Sequence, residues 1–262
     1  TMELSTMELS TMELSTMELS TMESSTMEKL ILDLSNIEVS GPKPREINAE
    51  NLYNELLKMP YYRNYAAESG AVHNVSNHET AVEDAFLQQG LKEDYIKLTK
   101  NKVNQALADN MEIIPRNTFK SQPCGSHESP DFLVNMNGRM IGIECKSTTG
   151  KTYKPLFNSG GIKRNYIYIF TNEFVNETTL FLGSDIITRE QDRLIADLIE
   201  KQRELQSEYN KKLLELDTNN RGISYYTRPM IGQAGDAPKT NYFTHQDRKK
   251  CEDNVLKFLM AL

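Results

Sequence analysis

Two carboxylates and a lysine lie on either side of one turn in this chain. Asp131 precedes an apolar run, and Glu144 and Lys146 end the next one, with Asn137-Gly138 between the two runs. Asn-Gly between alternating apolar runs predicts a two-residue type I′ hairpin, because both turn positions require positive φ. Counting outward from the turn, we expect Asp131 to lie opposite Glu144.

The alternation of side chains along a strand predicts which residues share a face. Asp131, Glu144 and Lys146 fall on one face, and Phe132 and Cys145 fall on the other. Carboxylates directly opposed across a hairpin have Cβ atoms about 4.5–5.5 Å apart and repel unless something neutralises them. Carboxylate oxygens suit Mg²⁺ or Mn²⁺, and a nearby lysine can assist an attacking water or stabilise negative charge. The pattern therefore favours a divalent metal site.

The motif, Pro130-Asp131 followed across the hairpin by Glu144-Cys145-Lys146, resembles the PD-(D/E)xK nuclease superfamily. Within that superfamily it is most similar to the type II restriction endonucleases. The resemblance covers the motif and, more weakly, the helix before it. It implies a sequence-specific endonuclease that hydrolyses phosphodiester bonds in double-stranded DNA. Catalytic Asp131, Glu144 and Lys146 are implied, with Mg²⁺, for which Mn²⁺ can substitute, held by Asp131 and Glu144.

The helix before the motif supplies a fourth catalytic candidate. Residues 77–90 combine an apolar stripe with a terminating glycine, which predicts a helix. Superfamily members often carry a glutamate on such a helix in support of the metal, and the resemblance implies that role for Glu79. Glu83 fits the pattern less well. Acidic residues here are also explained by the helix macrodipole alone.

Two segments are candidate DNA-contact surfaces. Residues 147–172 contain several basic side chains and no acidic one, and residues 221–250 mix base-edge readers with phosphate binders. A turn-forming asparagine or a solvated run of charges explains the same residues without DNA. The predicted contacts are Lys151, Asn158, Lys163, Arg164, Arg228, His245, Gln246 and Arg248.

The N-terminus is set apart by repeats. Residues 1–28 read Thr-Met-Glu-Leu-Ser four times, followed by Thr-Met-Glu-Ser-Ser and Thr-Met-Glu. A period of five matches neither a helix nor a strand, so the apolar residues do not collect on one face. We expect a flexible tail, followed by a single nuclease domain over residues 29–262.

The tail also carries most of the negative charge. Its six glutamates contribute −6 of the −7 carried by the whole chain, which leaves −1 for residues 29–262. The acidic pI is therefore no argument against DNA, although any DNA surface must be a local patch. The three cysteines have neither zinc-ligand nor disulfide-framework spacing.

The remaining pattern predicts an α/β (α+β) fold, with a mixed central sheet of at least four strands flanked by helices, like a restriction-endonuclease core. Beyond the hairpin, strands are predicted at 165–171 and 179–183, with a short edge strand at 111–115. Helices are predicted at 49–59, 77–90, 91–110 and 188–217 and at the C-terminal end.

The helix at 188–217 has regular charge pairs four residues apart, which predicts a solvent-facing helix with one packed stripe and room for a dimer contact. The leucines of that stripe are Leu194, Leu198, Leu205, Leu213 and Leu216.

Partners follow from the resemblance. A palindromic DNA site cut on both strands implies a homodimer with two catalytic centres, and a restriction enzyme implies a cognate DNA methyltransferase as a separate protein. No run approaches the length of a membrane span, and we expect a cytoplasmic location. Two alternatives stay open: a PD-(D/E)xK repair or junction-resolving nuclease, and a non-catalytic DNA-binding protein.

Overall fold

A computed structural model describes residues 46–62, 78–126, 128–151, 154–158, 161–233 and 242–261. The chain divides into two units, Thr1–Pro44 and Arg45–Leu262, and the described residues belong to the second. The N-terminal repeats, for which we predicted a tail, lie outside the described residues.

The described chain forms one six-stranded sheet in which the strands are ordered as in the sequence. The pairs β1–β2 and β4–β5 are parallel, and the other neighbours are antiparallel. The predicted mixed sheet is therefore confirmed, with two strands more than the minimum. The strands are β1 (Lys92–Glu93), β2 (Thr118–Ser121), β3 (Phe132–Met136), β4 (Arg139–Thr148), β5 (Ile167–Asn172) and β6 (Glu177–Leu182).

Five α-helices accompany the sheet in the described part of the chain. Three of them begin at a side-chain cap: Asn48, Thr99 and Thr188 each accept a hydrogen bond from a backbone N–H of the first turn. The helices are α1 (Ala49–Lys58), α2 (His78–Gln88), α3 (Lys100–Asp109), α4 (Arg189–Glu215) and α5 (Arg248–Met260), with one 3₁₀ turn at Gly183–Asp185.

The β3–β4 hairpin has the predicted turn and register. Asn137 and Gly138 have φ of 54° and 95°, as a type I′ turn requires. Phe132 pairs with Ile143 at the far end of the ladder. Outside the hairpin, the Asn137 side chain accepts a hydrogen bond from the backbone N–H of Ile47 and donates one to its carbonyl, both at 2.9 Å. The turn is thus held both by its own conformation and by the segment before α1.

Side chains of alternate residues on β5 enter two different cores. Ile167 and Ile169 belong to the cluster that includes buried residues of α1, α2 and α5. Tyr168 and Phe170 belong to the cluster on the opposite face. Each fully buried apolar side chain of this size contributes about 1.5–3 kcal/mol relative to exposure. With both faces covered, the strand has the continuous apolar sequence from which it was predicted.

Two local predictions are wrong. Residues 91–110 do not form one helix: Lys92–Glu93 is an edge strand, and the helix starts only at Lys100, where Thr99 caps it. Residues 111–115 are not a strand but an irregular link, in which the Ile114 carbonyl accepts a hydrogen bond from the Asn135 side chain at 2.8 Å. In both cases a tertiary partner decides the conformation over local propensity.

The predicted packed stripe of α4 is also wrong. Its five leucines are exposed, and the buried residue of this helix is Ile199. Thr227, Tyr225 and other residues of the following coil bind a neighbouring face of α4. In the described part of the chain, the five leucines are therefore exposed rather than packed.

The turn generates a stability prediction. Asn137→Ala removes two hydrogen bonds to Ile47 and places alanine at positive φ, so we expect a loss of about 2–3 kcal/mol in the free energy of unfolding. Asn220→Ala is the matched control, because Asn220 has φ of 52° in an exposed turn. The control should lose only the backbone contribution, about 1 kcal/mol. Urea unfolding measures both, and equal losses would contradict the role of the Ile47 contacts.

Candidate active site

Asp131 and Glu144 face each other at the open end of the hairpin. Phe132 pairs with Ile143, so the next position outward on each strand places Asp131 opposite Glu144. Asp131 Oδ2 accepts a hydrogen bond from the backbone N–H of Cys145 at 2.6 Å. The Asp131 carboxylate therefore reaches across to β4, as the register predicted.

Glu144 is a buried carboxylate with a partner on each oxygen. Its residue is 3% exposed. Oε1 lies 2.8 Å from Lys146 Nζ, and Oε2 accepts a hydrogen bond from the Ser129 hydroxyl at 2.8 Å. Two partnered oxygens still leave lone pairs free, because a carboxylate offers about four acceptor positions. Glu144 can thus keep these contacts and also bind a cation.

Lys146 lies with the acids, and its neighbour Cys145 lies with the core. The Lys146 ammonium contacts Glu144 and reaches Asn158 Oδ1 at 3.5 Å. Cys145 packs against the core cluster below the sheet, where burial raises the pKa of its thiol well above the ordinary value. Alternation along β4 therefore separates the charged face from the apolar one as predicted.

The charges of Asp131 and Glu144, which we call the acid pair, are not fully compensated by nearby positive charge. Burial, followed by repulsion from Glu144, raises the pKa of Asp131 to about 7. The Cys145 N–H and the Lys146 charge oppose that rise, and Glu79 adds a smaller repulsion. At neutral pH the Asp131 carboxyl is thus poised between holding a proton and holding a cation.

Glu79 lies in the first turn of α2, where its charge adds to the repulsion felt by Asp131. Its Oε2 accepts a hydrogen bond from Gln122 Nε2 at 3.1 Å. Among the described residues, no three His, Cys, Asp or Glu side chains group closely enough to hold a metal ion by themselves. Mg²⁺ is commonly held by one or two carboxylates, together with waters and substrate phosphate. The pair Asp131 and Glu144 fits that requirement without a third protein acid.

Three residues near the acids were missed by sequence reasoning: Ser129, Gln122 and His78. Ser129 and Gln122 bond to Glu144 and Glu79, contacts that no spacing rule indicates. His78 is buried, and neither ring nitrogen has a hydrogen-bond partner among the described residues. Burial, followed by repulsion from Lys146, lowers its pKa to about 3. A neutral imidazole therefore lies near the catalytic lysine candidate.

The structure brings together two candidate DNA-contact residues from separate segments. Asn158 Oδ1 approaches Lys146 Nζ, and the Asn158 carbonyl accepts a hydrogen bond from Arg228 Nε at 2.9 Å. Both residues line a cleft of about 450 Å³ that also includes Ser129 and Lys163. Burial lowers the pKa of the Lys163 ammonium. Ser129, whose hydroxyl bonds to Glu144, links the lining of this cleft to the two acids.

Other candidates are engaged elsewhere. Arg248, in the first turn of α5, pairs with Glu177 at 2.5 Å and with Glu252 at 2.8 Å. Arg164 donates a hydrogen bond to the Ile187 carbonyl. Both guanidinium groups therefore have structural partners that the sequence did not indicate.

The last three candidates lie apart from the cleft lining. Lys151 Nζ lies 4.8 Å from the centre of the Phe174 ring, His245 Nδ1 lies 3.9 Å from Asp247 Oδ2, and Gln246 is exposed. The eight predicted contacts thus do not form one continuous surface.

No protein-family model, curated protein or solved structure matches this chain. None of the helices in the described ranges is long and apolar enough to cross a membrane.

The raised pKa of Asp131 predicts how stability depends on pH. An acid whose pKa rises on folding, here from 3.8 to about 7, costs stability as the pH rises through that interval. In metal-free buffer, Asp131→Asn should therefore be more stable than wild type at pH 8 by about 1–3 kcal/mol, and this advantage should shrink at pH 5. Urea unfolding at both pH values measures the difference.

Asp109→Asn is the control, since Asp109 is exposed at the end of α3. Its effect should be small at both pH values. A stability difference for Asp131→Asn that does not change between pH 5 and pH 8 would show that burial and Glu144 do not raise the pKa of Asp131.

Proposed function

We propose that this protein is a metal-dependent endonuclease of the PD-(D/E)xK type that hydrolyses double-stranded DNA. One observation carries the proposal: two opposed carboxylates, half-buried Asp131 and buried Glu144, lie beside an ammonium 2.8 Å from one of them. A purely structural hairpin gains nothing from like charges at that position. A site that binds a divalent cation and then a phosphate does gain from two carboxylates there, because they attract the cation.

Asp131 and Glu144 would hold the cation. Bound Mg²⁺ would lower the pKa of a water and offset negative charge on the phosphate. The Ser129 hydroxyl fixes one oxygen of Glu144, and Lys146 fixes the other. The Cys145 N–H orients Asp131. These contacts set the directions of both carboxylates before any ligand arrives, and such preorganisation lowers the cost of reaching the transition state.

In this proposal Lys146 acts on the phosphate. Its ammonium is held between Glu144 and Asn158, and a third N–H donor remains for a substrate oxygen. We assign it the stabilisation of charge that develops on the phosphate during attack and the orientation of the attacking water. Glu79 and Gln122 would support the acid pair from α2 and from the loop after β2.

The cleft beside the acids supports a DNA substrate. Asn158, Lys163 and Arg228 lie at or near its wall, and they combine phosphate binders with a side chain able to read adenine. Sequence-specific cleavage of a palindrome by a homodimer, as in type II restriction with a separate methyltransferase, is the form of the activity that we propose first. Cleavage of junctions or damaged DNA is the rival form.

The experiment is a digestion of plasmid and of long natural duplex with Mg²⁺ or with chelator. We expect Mg²⁺-dependent cleavage that falls at least about 100-fold in Asp131→Asn, which removes a ligand of the cation, and in Lys146→Met, which removes the charge beside the reacting phosphate. Glu79→Gln should lose less, about tenfold. Gel quantification of initial rates measures all three.

The matched controls are Asp109→Asn and Lys102→Met, which make the same changes on the exposed side of α3. Both should cleave as wild type does. Discrete fragments support restriction, whereas a smear or selective cutting of branched DNA supports the repair reading. DNA retention without cleavage in Mg²⁺, or full activity in Asp131→Asn, would contradict the nuclease assignment.

A further inference from the structure

Helix α4 presents an apolar stripe to solvent. The side chains repeat at spacings of four and seven residues, which places them on one face of the helix. Their exposed fractions lie between 54% and 77%. We call these residues, Leu194, Leu198, Leu205, Tyr209 and Leu216, the leucine stripe.

The leucine stripe is exposed, and the described residues that follow α4 contact a different face of the helix. The coil after α4 binds the neighbouring face of the helix: Asn210 Oδ1 accepts a hydrogen bond from the Tyr225 N–H at 2.7 Å, and Gln206 Oε1 accepts one from Thr227 at 2.9 Å. Between that coil and the helix lies an apolar groove of about 950 Å³, with Met230 on its wall. Exposed apolar surface of this extent, continuous with an open groove, indicates an interaction surface.

A row of charges runs along one edge of the leucine stripe. In chain order these are Asp197, Lys201, Glu208 and Lys212, and each forms an ion pair with the residue four positions away. The signs alternate as minus, plus, minus, plus. The other edge carries Gln202 and Gln206, which are uncharged. The charges therefore distinguish one edge from the other.

The first charge of the row is opposite in sign to the last, and the second is opposite to the third, so the row is complementary to a copy of itself that runs in the opposite direction. In an antiparallel pair related by a two-fold axis, the same edge of each helix faces its own copy, and facing residue numbers have a constant sum. Asp197 with Lys212 and Lys201 with Glu208 both give 409. In a parallel pair the charged edge would face uncharged glutamines instead.

The apolar residues give the same register independently. Leu194 with Leu216, and Leu205 with its own copy, each give 410. Leu198 then falls between Tyr209 and Leu213 of the second copy. Charges and leucines thus agree on one alignment, centred near residue 205.

We propose that the leucine stripe is a dimer interface between two copies of this chain, packed as an antiparallel helix pair. A 27-residue helix is about 40 Å long. A strip about 10 Å wide would cover about 800 Å² over both copies, and stable interfaces bury about 1,200 Å² or more, so the groove beside the stripe contributes the rest. This inference does not depend on the nuclease proposal.

The first test is the mass in solution, measured by sedimentation equilibrium of the full chain. The monomer mass is 30.0 kDa, and we expect a species of twice that mass. Leu205→Glu places a carboxylate beside its own copy at the two-fold axis and should raise the dissociation constant at least tenfold. Leu87→Glu, an exposed leucine of α2, is the matched control and should leave the dimer intact.

The second test exchanges charges while keeping each ion pair within the helix. D197K/K201E and E208K/K212E each place like charges opposite one another in a homodimer, so each alone should be largely monomeric. Mixed together, the two variants restore every opposite-charge pair and should form a heterodimer. Far-ultraviolet circular dichroism should show wild-type helix content in both.

Recovery of the dimer on mixing supports the antiparallel register. A wild-type chain that stays monomeric at all concentrations overturns the proposal and leaves the leucine stripe to a different protein. A wild-type dimer unaffected by Leu205→Glu or by the charge exchanges also overturns it, because the dimer would then use another face.

Discussion

The register of the β3–β4 hairpin is the constraint on which the site depends. Asn137 and Gly138 adopt the two positive φ values of a type I′ turn, and the ladder that follows brings Phe132 opposite Ile143. A slip of one residue would move every side chain of a strand to the opposite face. Asp131 would then lose Glu144 as its partner. The conformation of this one turn therefore decides that Asp131 and Glu144, each six positions from the turn, lie opposite one another.

The second constraint is electrostatic. A half-buried carboxylate, Asp131, and a buried one, Glu144, lie at the open end of the hairpin, and among the described residues only Glu144 has a lysine in direct contact. The hydrogen bonds from Ser129 and from the Cys145 N–H offset part of the burial cost. The remaining imbalance appears as the raised pKa of Asp131. An acid whose pKa is raised by its surroundings is a common feature of functional sites, because the ligand that binds there can stabilise the charged form.

The parts predicted correctly from the sequence are those that local rules govern. The turn, the hairpin register, the alternation that separates Lys146 from Cys145 and the apolar strand β5 all follow from periodicity and turn chemistry. The short strand β1 could not be predicted, since only pairing with β2 makes Lys92–Glu93 a strand. Partners distant in sequence also determine which contacts the basic residues make. Arg248 binds Glu177, and nothing near Arg248 in the sequence indicates that pair.

The prediction that the leucines of α4 form a packed stripe was wrong for a related reason. Periodicity identifies an apolar face but not what covers it, and in this chain the following coil takes the neighbouring face instead. Ser129 and His78 were missed because their importance lies in burial and in contacts across the fold.

The central claim is that Asp131 and Glu144 hold a divalent cation, and paramagnetic broadening by Mn²⁺ tests it most directly. In the wild-type chain, substoichiometric Mn²⁺ should broaden the backbone amide signals of Phe132 and Cys145, which flank the acids, and leave that of Gly222 sharp. In Asp131→Asn the selective broadening should disappear. Equal broadening in both proteins, or broadening spread over exposed acids such as Glu215, would contradict a metal site at the hairpin.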